Sequence, residues 1–126
     1  MVIVSVGLDA TDIHRVSEAL RRFGDRFLQR IFTGGEIAYC MRRRNPASHL
    51  AARFAAKEAA MKALGTGQSE GVAWRDIEVV RHQGAPQLRF HGTAATRFAS
   101  LGATRALLSL THAESLALAQ VLFVKE

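Results

Sequence analysis

Cysteine is nearly absent from this sequence of 126 residues, in which Cys40 is the only one. No disulfide can therefore form within the chain, and a reducing compartment is expected. Long apolar runs are missing as well, because none approaches the about 20 residues that a membrane-spanning helix needs. The start of the sequence also lacks the basic segment of a secretory signal peptide. We therefore expect a cytoplasmic protein without a membrane segment.

Aromatic residues account for only 7% of the chain, and proline occurs twice. No stretch is of low complexity, and no internal repeat or linker is visible, so no domain boundary is drawn within residues 1–126. Apolar residues make up 48% and charged residues 22%, which is typical of a soluble globular protein. The sequence therefore predicts one compact domain.

Acidic residues are also scarce, with 11 against 17 lysines and arginines and a net charge of +6. Such an excess favours a polyanionic partner: nucleic acid, an anionic membrane, a phosphorylated ligand or an acidic protein. The basic residues are scattered, and their only run is 42–44 (RRR). Because no helix carries a basic stripe and no strand is rich in aromatic residues, a nucleic-acid-binding module is an alternative rather than the main interpretation.

Strand signals occur at both ends of the chain, and helix signals lie between them. Residues 2–8 are β-branched and apolar, which predicts a strand buried on both faces that ends in a turn at Asp9. Thr33 and Glu36 have the spacing of a capping box, and Asn45 before Pro46 predicts the start of a long helix. In chain order the predicted elements are a strand (2–8), a helix from Thr11 or Asp12 to about Phe23, a helix after Thr33, a helix from Pro46 to Leu64 that ends at Gly65, a loop (65–69), strands 76–81 and 87–91, a helix (94–101) and strands 105–111 and 116–124. This order predicts an α+β fold with a largely antiparallel sheet, a long central helix and shorter helices.

The long helix carries charged groups around an apolar stripe. At about 100° per residue, the stripe consists of Leu50, Phe54, Met61 and Leu64. Lys57 falls in its middle, where the ammonium must reach water or an anion because an unpaired buried charge is costly. Arg53 and Glu58 flank the stripe, and Lys62 lies one turn beyond Glu58.

Two interpretations of these charges remain open. In the simpler one, Glu58 and Lys62 form a surface pair worth about 0.2–0.5 kcal/mol and Lys57 extends its amine to water. In the other, lysines hold phosphates and Glu58 holds a cation beside them, since Mg²⁺ binds one or two carboxylates, waters and substrate phosphate oxygens. Asp9 is the candidate for a second carboxylate, although an aspartate after a strand is also typical of a turn or a cap.

Four segments favour the second interpretation. Residues 6–9 (VGLD), 53–59 (RFAAKEA), 62–67 (KALGTG) and 109–112 (SLTH) occur in this order and at this spacing. Together they closely resemble the holo-[acyl-carrier-protein] synthases, the small single-domain family of 4'-phosphopantetheinyl transferases. The resemblance runs from the first strand to the last. It implies the fold of that family and a reaction in which coenzyme A (CoA) and apo-acyl carrier protein give holo-carrier protein and adenosine 3',5'-bisphosphate.

The resemblance also implies a role for each matching residue. Asp9 and Glu58 would bind Mg²⁺ together with the pyrophosphate of CoA. Lys57 and Lys62 would bind phosphate, stabilise the leaving group or assist deprotonation of the serine. The family's loop that runs along CoA is matched by Gly65, Thr66 and Gly67. The positions that the family associates with the nucleotide end of CoA, including its 3'-phosphate, are matched by Arg53 and His112.

The identity of the general base stays open. A serine hydroxyl attacks a pyrophosphate phosphorus, so positioning and charge neutralisation dominate the catalysis. Glu58, a metal-bound water and Lys57 are all candidates for the base. Glu36 matches a recurrent glutamate of the family, but capping explains it equally well. Ala38 stands near the place where some members carry an aspartate proposed as base, and residues 34–35 (GG) replace a more usual polar pair, so no base is assigned there.

The implied partners are apo-acyl carrier protein and further copies of this chain. Charge complementarity suggests that the acidic carrier protein docks against arginines; the candidates are Arg21, Arg22, Arg26 and the run 42–44. Larger members of the family contain two fused copies of this unit, whereas this chain has one. The resemblance therefore implies a homotrimer with sites at subunit interfaces, with Asp9 and Glu58 on one chain and Arg53 or His112 from the next. A non-catalytic CoA-binding protein is the remaining alternative, which the intact charged motif disfavours.

Overall fold

The computed structural model describes residues 1–66, 71–81 and 83–126. Its elements are, in chain order, β1 (Val2–Asp12), α1 (Ile13–Phe23), α2 (Asp25–Ile31), α3 (Gly34–Met41), α4 (Pro46–Leu64), a 3₁₀ turn (Trp74–Asp76), β2 (Ile77–Val80), β3 (Gln87–Phe90), α5 (Gly92–Ser100), β4 (Arg105–His112) and β5 (Leu116–Lys125). This is an α+β fold with a long central helix, as predicted. The sequence analysis did not predict α2, which lies between α1 and the cap residue Thr33.

The described strands form two antiparallel sheets. One has the order β1-β5-β4, and the other pairs β2 with β3. In the larger sheet Asp9 lies opposite Ala119, and Thr11 lies opposite Ala117, which in turn pairs with His112. The C-terminal ends of β1 and β4 therefore lie at the same end of the sheet, with β5 between the two strands.

The first strand differs from the prediction in length and in burial. It continues through Asp9 to Asp12, because every residue over this stretch pairs with β5. The turn comes after Asp12, whose side chain accepts a hydrogen bond from the backbone NH of His14 and caps α1. The prediction of a strand buried on both faces is wrong, because the side chains of Val6 and Leu8 are 59% and 60% exposed.

Helix α4 lies across the inner face of the larger sheet and is buried on most of its sides. Pro46 occupies its first turn, and Gly65 ends it in the left-handed conformation with φ 78°, as the sequence predicted. The predicted apolar stripe is narrower than the buried surface, because the alanines of the helix are buried as well. Their small side chains allow close contact with β1: a Cβ added to Gly7 would lie 1.8 Å from the backbone oxygen of Ala59. In the part of the chain that the structure describes, no helix is both long enough and apolar enough to cross a membrane.

Candidate active site

Asp9, Glu58 and Lys62 come together where β1 crosses α4. The ammonium of Lys62 lies 3.1 Å from Oδ1 of Asp9 and donates a hydrogen bond of 2.9 Å to the backbone oxygen of Leu8. The hydroxyl of Thr11 donates to the other carboxylate oxygen of Asp9 at 3.2 Å. Strand β1 therefore presents the Asp9 carboxylate towards α4, whose next turn carries the lysine.

Glu58 faces the same cavity as Asp9. Both line a cavity of about 460 Å³ together with other residues of β1, α1 and α4. Burial raises the pKa of the Glu58 carboxyl, the negative charge of Asp9 raises it further, and Lys62 opposes both effects. Two carboxylates that repel each other across one cavity form a site that a cation would stabilise.

The donor set fits a hard divalent cation that is shared with a substrate. Among residues 1–66, 71–81 and 83–126, no group of three or more His, Cys, Asp or Glu side chains is arranged to hold a metal. A cation between Asp9 and Glu58 must therefore take its other ligands from water and from a bound molecule. Mg²⁺ binds in this way, with few carboxylates and with the oxygens of substrate phosphates.

The structure does not bring Lys57 to this cluster, which corrects the role expected from the sequence. Its side chain is fully buried, and its ammonium lies 2.8 Å from Oε1 of Glu36. It also donates hydrogen bonds to the backbone oxygens of Trp74 and Ile77. Burial lowers the pKa of Lys57, and the adjacent Glu36 opposes that effect. An ammonium with three protein acceptors and no exposure has no surface with which to bind a phosphate.

Glu36 caps α3, which is one of its two interpretations from the sequence, and it also has partners beyond the cap. One carboxylate oxygen accepts a hydrogen bond of 2.9 Å from the backbone NH of Thr33, which completes the predicted capping box. The other accepts a hydrogen bond of 2.8 Å from the backbone NH of Val79. With Lys57, this side chain ties α3, α4 and β2 together. The sequence signal was Lys57 in the apolar stripe, because an ammonium at that position must reach either water or an anion.

Arg53 and His112 lie in a second cluster within the same chain. The Arg53 guanidinium, only 3% exposed, lies 4.1 Å from the ring centre of Tyr39, and its Nε has no hydrogen-bond partner. The ring of His49 lies between Tyr39 and His112, with centroid separations of 6.1 and 6.0 Å. The sequence analysis named Arg53 and His112 but missed Tyr39 and His49.

The loop after α4 is described in part. Gly65 takes the left-handed conformation, Thr66 is buried, and Gly67 lies outside the described residues. A residue that the sequence analysis missed, Arg97 on α5, donates a hydrogen bond of 2.9 Å from Nε to the backbone oxygen of Leu64. This bond holds the end of α4 and the start of the loop in place.

Comparison with known proteins identifies the family. Residues 5–121 match the model of the 4'-phosphopantetheinyl transferase superfamily. The chain is 49% identical over 122 residues to the holo-[acyl-carrier-protein] synthase of Koribacter versatilis, which covers 96% of this chain and 98% of that protein. It is 52% identical over 122 residues to the protein of the same name from Nitratidesulfovibrio vulgaris, with the same coverage. The chain belongs to the holo-[acyl-carrier-protein] synthase family.

Solved structures of holo-[acyl-carrier-protein] synthases have the same fold. The protein from Neisseria meningitidis matches with a TM-score of 0.86 and 34% identity, covering 98% of this chain and 99% of that chain. The protein from Bacillus anthracis, solved in complex with CoA (3',5'-ADP), matches with a TM-score of 0.81 and 31% identity over the full length of both. The family, the fold class and the transferase class predicted from the four sequence segments are therefore confirmed.

Proposed function

We propose that this chain transfers the 4'-phosphopantetheine group of CoA to a serine of apo-acyl carrier protein, in a reaction that requires Mg²⁺. The observation that carries the proposal is the pair of carboxylates, Asp9 and Glu58, which share a cavity beside Lys62 in a member of this family. The serine oxygen forms a bond to the phosphorus next to pantetheine. The pyrophosphate P–O bond breaks, adenosine 3',5'-bisphosphate leaves, and the serine proton passes to a base.

The charged groups of the site would catalyse the reaction mainly by neutralising the negative charge of the pyrophosphate. Asp9 and Glu58 would hold Mg²⁺, which when bound screens the negative charge of the pyrophosphate. Lys62, on the same side of α4, is half exposed and is free to exchange its contact with Asp9 for a phosphate oxygen. A fixed ammonium at this point lowers the barrier because charge on the leaving phosphate grows as the bond breaks.

The contacts of Lys57 favour the other two candidates for the base, because its ammonium is buried and donates to Glu36 and two backbone oxygens. Those candidates are Glu58 and a metal-bound water. We assign Lys57 a positioning role instead: its ion pair with Glu36 fixes the rotation of α4, and thereby the direction in which the adjacent Glu58 points.

Binding of CoA would use the second cluster and the loop after α4. Relatives from Helicobacter pylori and Bacillus anthracis were solved in complex with CoA and with CoA (3',5'-ADP), respectively. Arg53 and His112 supply positive charge for the nucleotide end of CoA. The loop would contact the rest of the CoA molecule through Gly65 and Thr66. Gly67, the third loop residue named from the sequence, lies outside the described residues.

Carrier-protein docking fits the basic surface beside the cavity. A groove next to the cavity is lined by Phe23, Arg26, Arg30 and Trp74, and it shares Phe54 with the cavity. Arg22 precedes Phe23 on α1 and adds a further positive charge beside this groove. The acidic carrier protein would approach the cavity from this side. The run 42–44 is a second basic surface that is available for the same partner.

A homotrimer is proposed from the outer face of the larger sheet. Val6, Leu8, Leu107 and Leu116 expose between 36% and 60% of their surface on strands β1, β4 and β5. Exposed apolar side chains on adjacent strands are typical of a surface that another chain covers. We also propose that the protein acts in the cytoplasm, where its single cysteine stays reduced.

The test is a transfer assay with CoA, Mg²⁺ and apo-carrier protein, read by the mass gain of one phosphopantetheine group. Asp9→Ala and Glu58→Ala should each abolish transfer with the circular dichroism spectrum unchanged. Asp12→Asn is the matched control, because it removes a carboxylate from the same cavity and keeps a good helix cap. Transfer at the wild-type rate by either alanine variant would refute the metal assignment, and no mass gain with wild-type protein would refute the function.

A further inference from the structure

The inner face of β1 places a threonine beside one of the two proposed metal ligands. Gly7, Asp9 and Thr11 are turned inwards, whereas the side chains between them are exposed, because successive side chains of a strand point to opposite faces. Gly7 lies against the backbone of α4. Asp9 and Thr11 line the same cavity, and Thr11 is only 9% exposed. The proposed reaction uses Asp9 and leaves Thr11 without a role.

The Asp9 carboxylate has a partner on each of its oxygens. The ammonium of Lys62 lies 3.1 Å from Oδ1, and the hydroxyl of Thr11 donates a hydrogen bond of 3.2 Å to Oδ2. The Lys62 side chain is 56% exposed, and in the proposed reaction its ammonium moves to a phosphate oxygen. Thr11 is buried on the same strand as Asp9, and its β-branched side chain has few rotamers open to it. Thr11 is therefore the partner that Asp9 keeps when CoA is bound.

A carboxylate that binds a cation benefits from a group that orients it. The last torsion of an aspartate is broad, so hydrogen bonds set the plane of its two oxygens. Each carboxylate oxygen offers about two lone-pair sites, so the bond from Thr11 leaves room for a cation on Asp9 once Lys62 has moved. Mg²⁺ accepts little departure from octahedral geometry, so its affinity depends on the direction in which these oxygens point. Hydrogen-bonded partners of metal ligands act in this way at many metal sites.

We propose that Thr11 is a positioning residue of the metal site. Its hydroxyl holds the Asp9 carboxylate in the orientation in which it shares the cavity with Glu58, and this raises the affinity of the two carboxylates for Mg²⁺. Thr11 touches neither the ion nor CoA and acts through Asp9 alone. The inference rests on the proposed function for the identity of the ion and of its two carboxylate ligands.

The test compares variants that differ in one hydroxyl. Thr11→Val removes the donor and keeps the size and branching of the side chain, whereas Thr11→Ser keeps the donor. Thr104→Val is the matched control, because the Thr104 hydroxyl donates to the backbone oxygen of Val124, which lies opposite the start of β1 and not opposite Asp9. Mg²⁺ is titrated into each protein at constant ionic strength without CoA or carrier protein, and the rise in Tm above the value in chelator gives its dissociation constant. Transfer rates over the same range give the Mg²⁺ concentration for half-maximal activity.

Thr11→Val should raise both the dissociation constant of Mg²⁺ and the half-activating concentration about tenfold, because the loss of a hydrogen bond to a metal ligand typically costs that much affinity. Saturating Mg²⁺ should restore most of its kcat, and Thr11→Ser and Thr104→Val should bind Mg²⁺ as wild type does. An unchanged dissociation constant in Thr11→Val would overturn the proposal, as would a loss of kcat that saturating Mg²⁺ does not restore. If Mg²⁺ leaves the Tm of wild type unchanged, the metal assignment and the role of Thr11 both fail. If it raises the Tm of wild type and of Thr11→Val equally, only the role of Thr11 fails.

Discussion

The Lys57 ammonium lies 2.8 Å from the Glu36 carboxylate, and neither side chain is exposed to solvent. The pair joins two helices that are separated along the chain, and backbone hydrogen bonds from Thr33 and Val79 orient its acidic member. Its basic member, Lys57, directly precedes Glu58 on α4. A buried ion pair at this point fixes the helix that carries one of the two proposed metal ligands.

Removal of the charge on Glu36 should destabilise the protein strongly. Glu36→Gln leaves the Lys57 ammonium buried without a counter-charge, and a broken buried pair costs about 3–5 kcal/mol. Urea unfolding followed by circular dichroism measures this loss. Glu18→Gln, which breaks an exposed pair with Arg21, is the matched control and should leave the midpoint unchanged. Equal midpoints for Glu36→Gln and wild type would contradict the structural role of the pair.

Neutralising Glu58 should raise stability in the absence of metal while it abolishes activity. The pKa of this carboxyl is raised above its unfolded value, so protonation of Glu58 stabilises the fold at low pH, and that contribution is lost as pH rises through the raised pKa. Near neutral pH, Glu58→Gln therefore increases Tm, measured by scanning fluorimetry with a chelator present. Mg²⁺ should then raise the Tm of wild type and not that of the variant. A Tm for the variant below that of wild type in chelator would sink this prediction.

A methyl group at Gly7 should disturb the packing of β1 on α4. The added Cβ would meet the backbone of Ala59 at 1.8 Å, so the helix or strand has to move. We expect Gly7→Ala to cost at least about 2 kcal/mol in the free energy of unfolding and to lower transfer activity, because the same contact positions Asp9 against Glu58. Gly34→Ala is the control, since a Cβ there meets nothing within 4 Å. The prediction fails if the two alanine variants unfold at the same urea concentration.

A charge on the outer face of the larger sheet should dissociate the proposed trimer. Val6 is 59% exposed on β1, and its replacement by glutamate would bury a carboxylate in an interface that covers this face. Light scattering after gel filtration should show monomer for Val6→Glu. Phe23→Glu changes an equally apolar side chain, 52% exposed at the end of α1, and should leave the trimer intact. Wild-type protein that elutes as a monomer would refute the trimer directly.

Reversal of charge on α1 and the start of α2 should weaken recognition of the carrier protein alone. Replacement of Arg21, Arg22 and Arg26 by glutamate repels an acidic partner, so the KM for apo-carrier protein should rise about tenfold or more. The KM for CoA should stay the same, because none of these residues belongs to the cluster of Arg53 and His112 that is proposed to bind the nucleotide end of CoA. Arg21 contributes least, since it is already paired with Glu18. An unchanged KM for the carrier protein would place its docking site elsewhere, with the run 42–44 as the next surface to test.

The sequence by itself determined the family and, apart from α2 and the length of β1, the elements and their order. Capping and turn signals are local, so Thr33 with Glu36, Pro46 and Gly65 marked helix ends that the structure reproduces. The four segments that resemble the family pointed to one reaction because chemistry constrains both residue type and spacing. Asp9, Glu58 and Lys62 were selected in this way, and the structure brings these three side chains together.

Only the tertiary structure decided which groups those side chains meet. The resemblance gave Lys57 and Lys62 the same role, yet α4 turns Lys57 towards Glu36 in the core and Lys62 towards Asp9 at the surface. The exposure of β1 on one face and the contact of Tyr39 with Arg53 likewise depend on segments far apart in sequence. Local patterns fix what a residue can do, whereas its partner is set by how helices and strands pack, because charge and burial act through space and not along the chain.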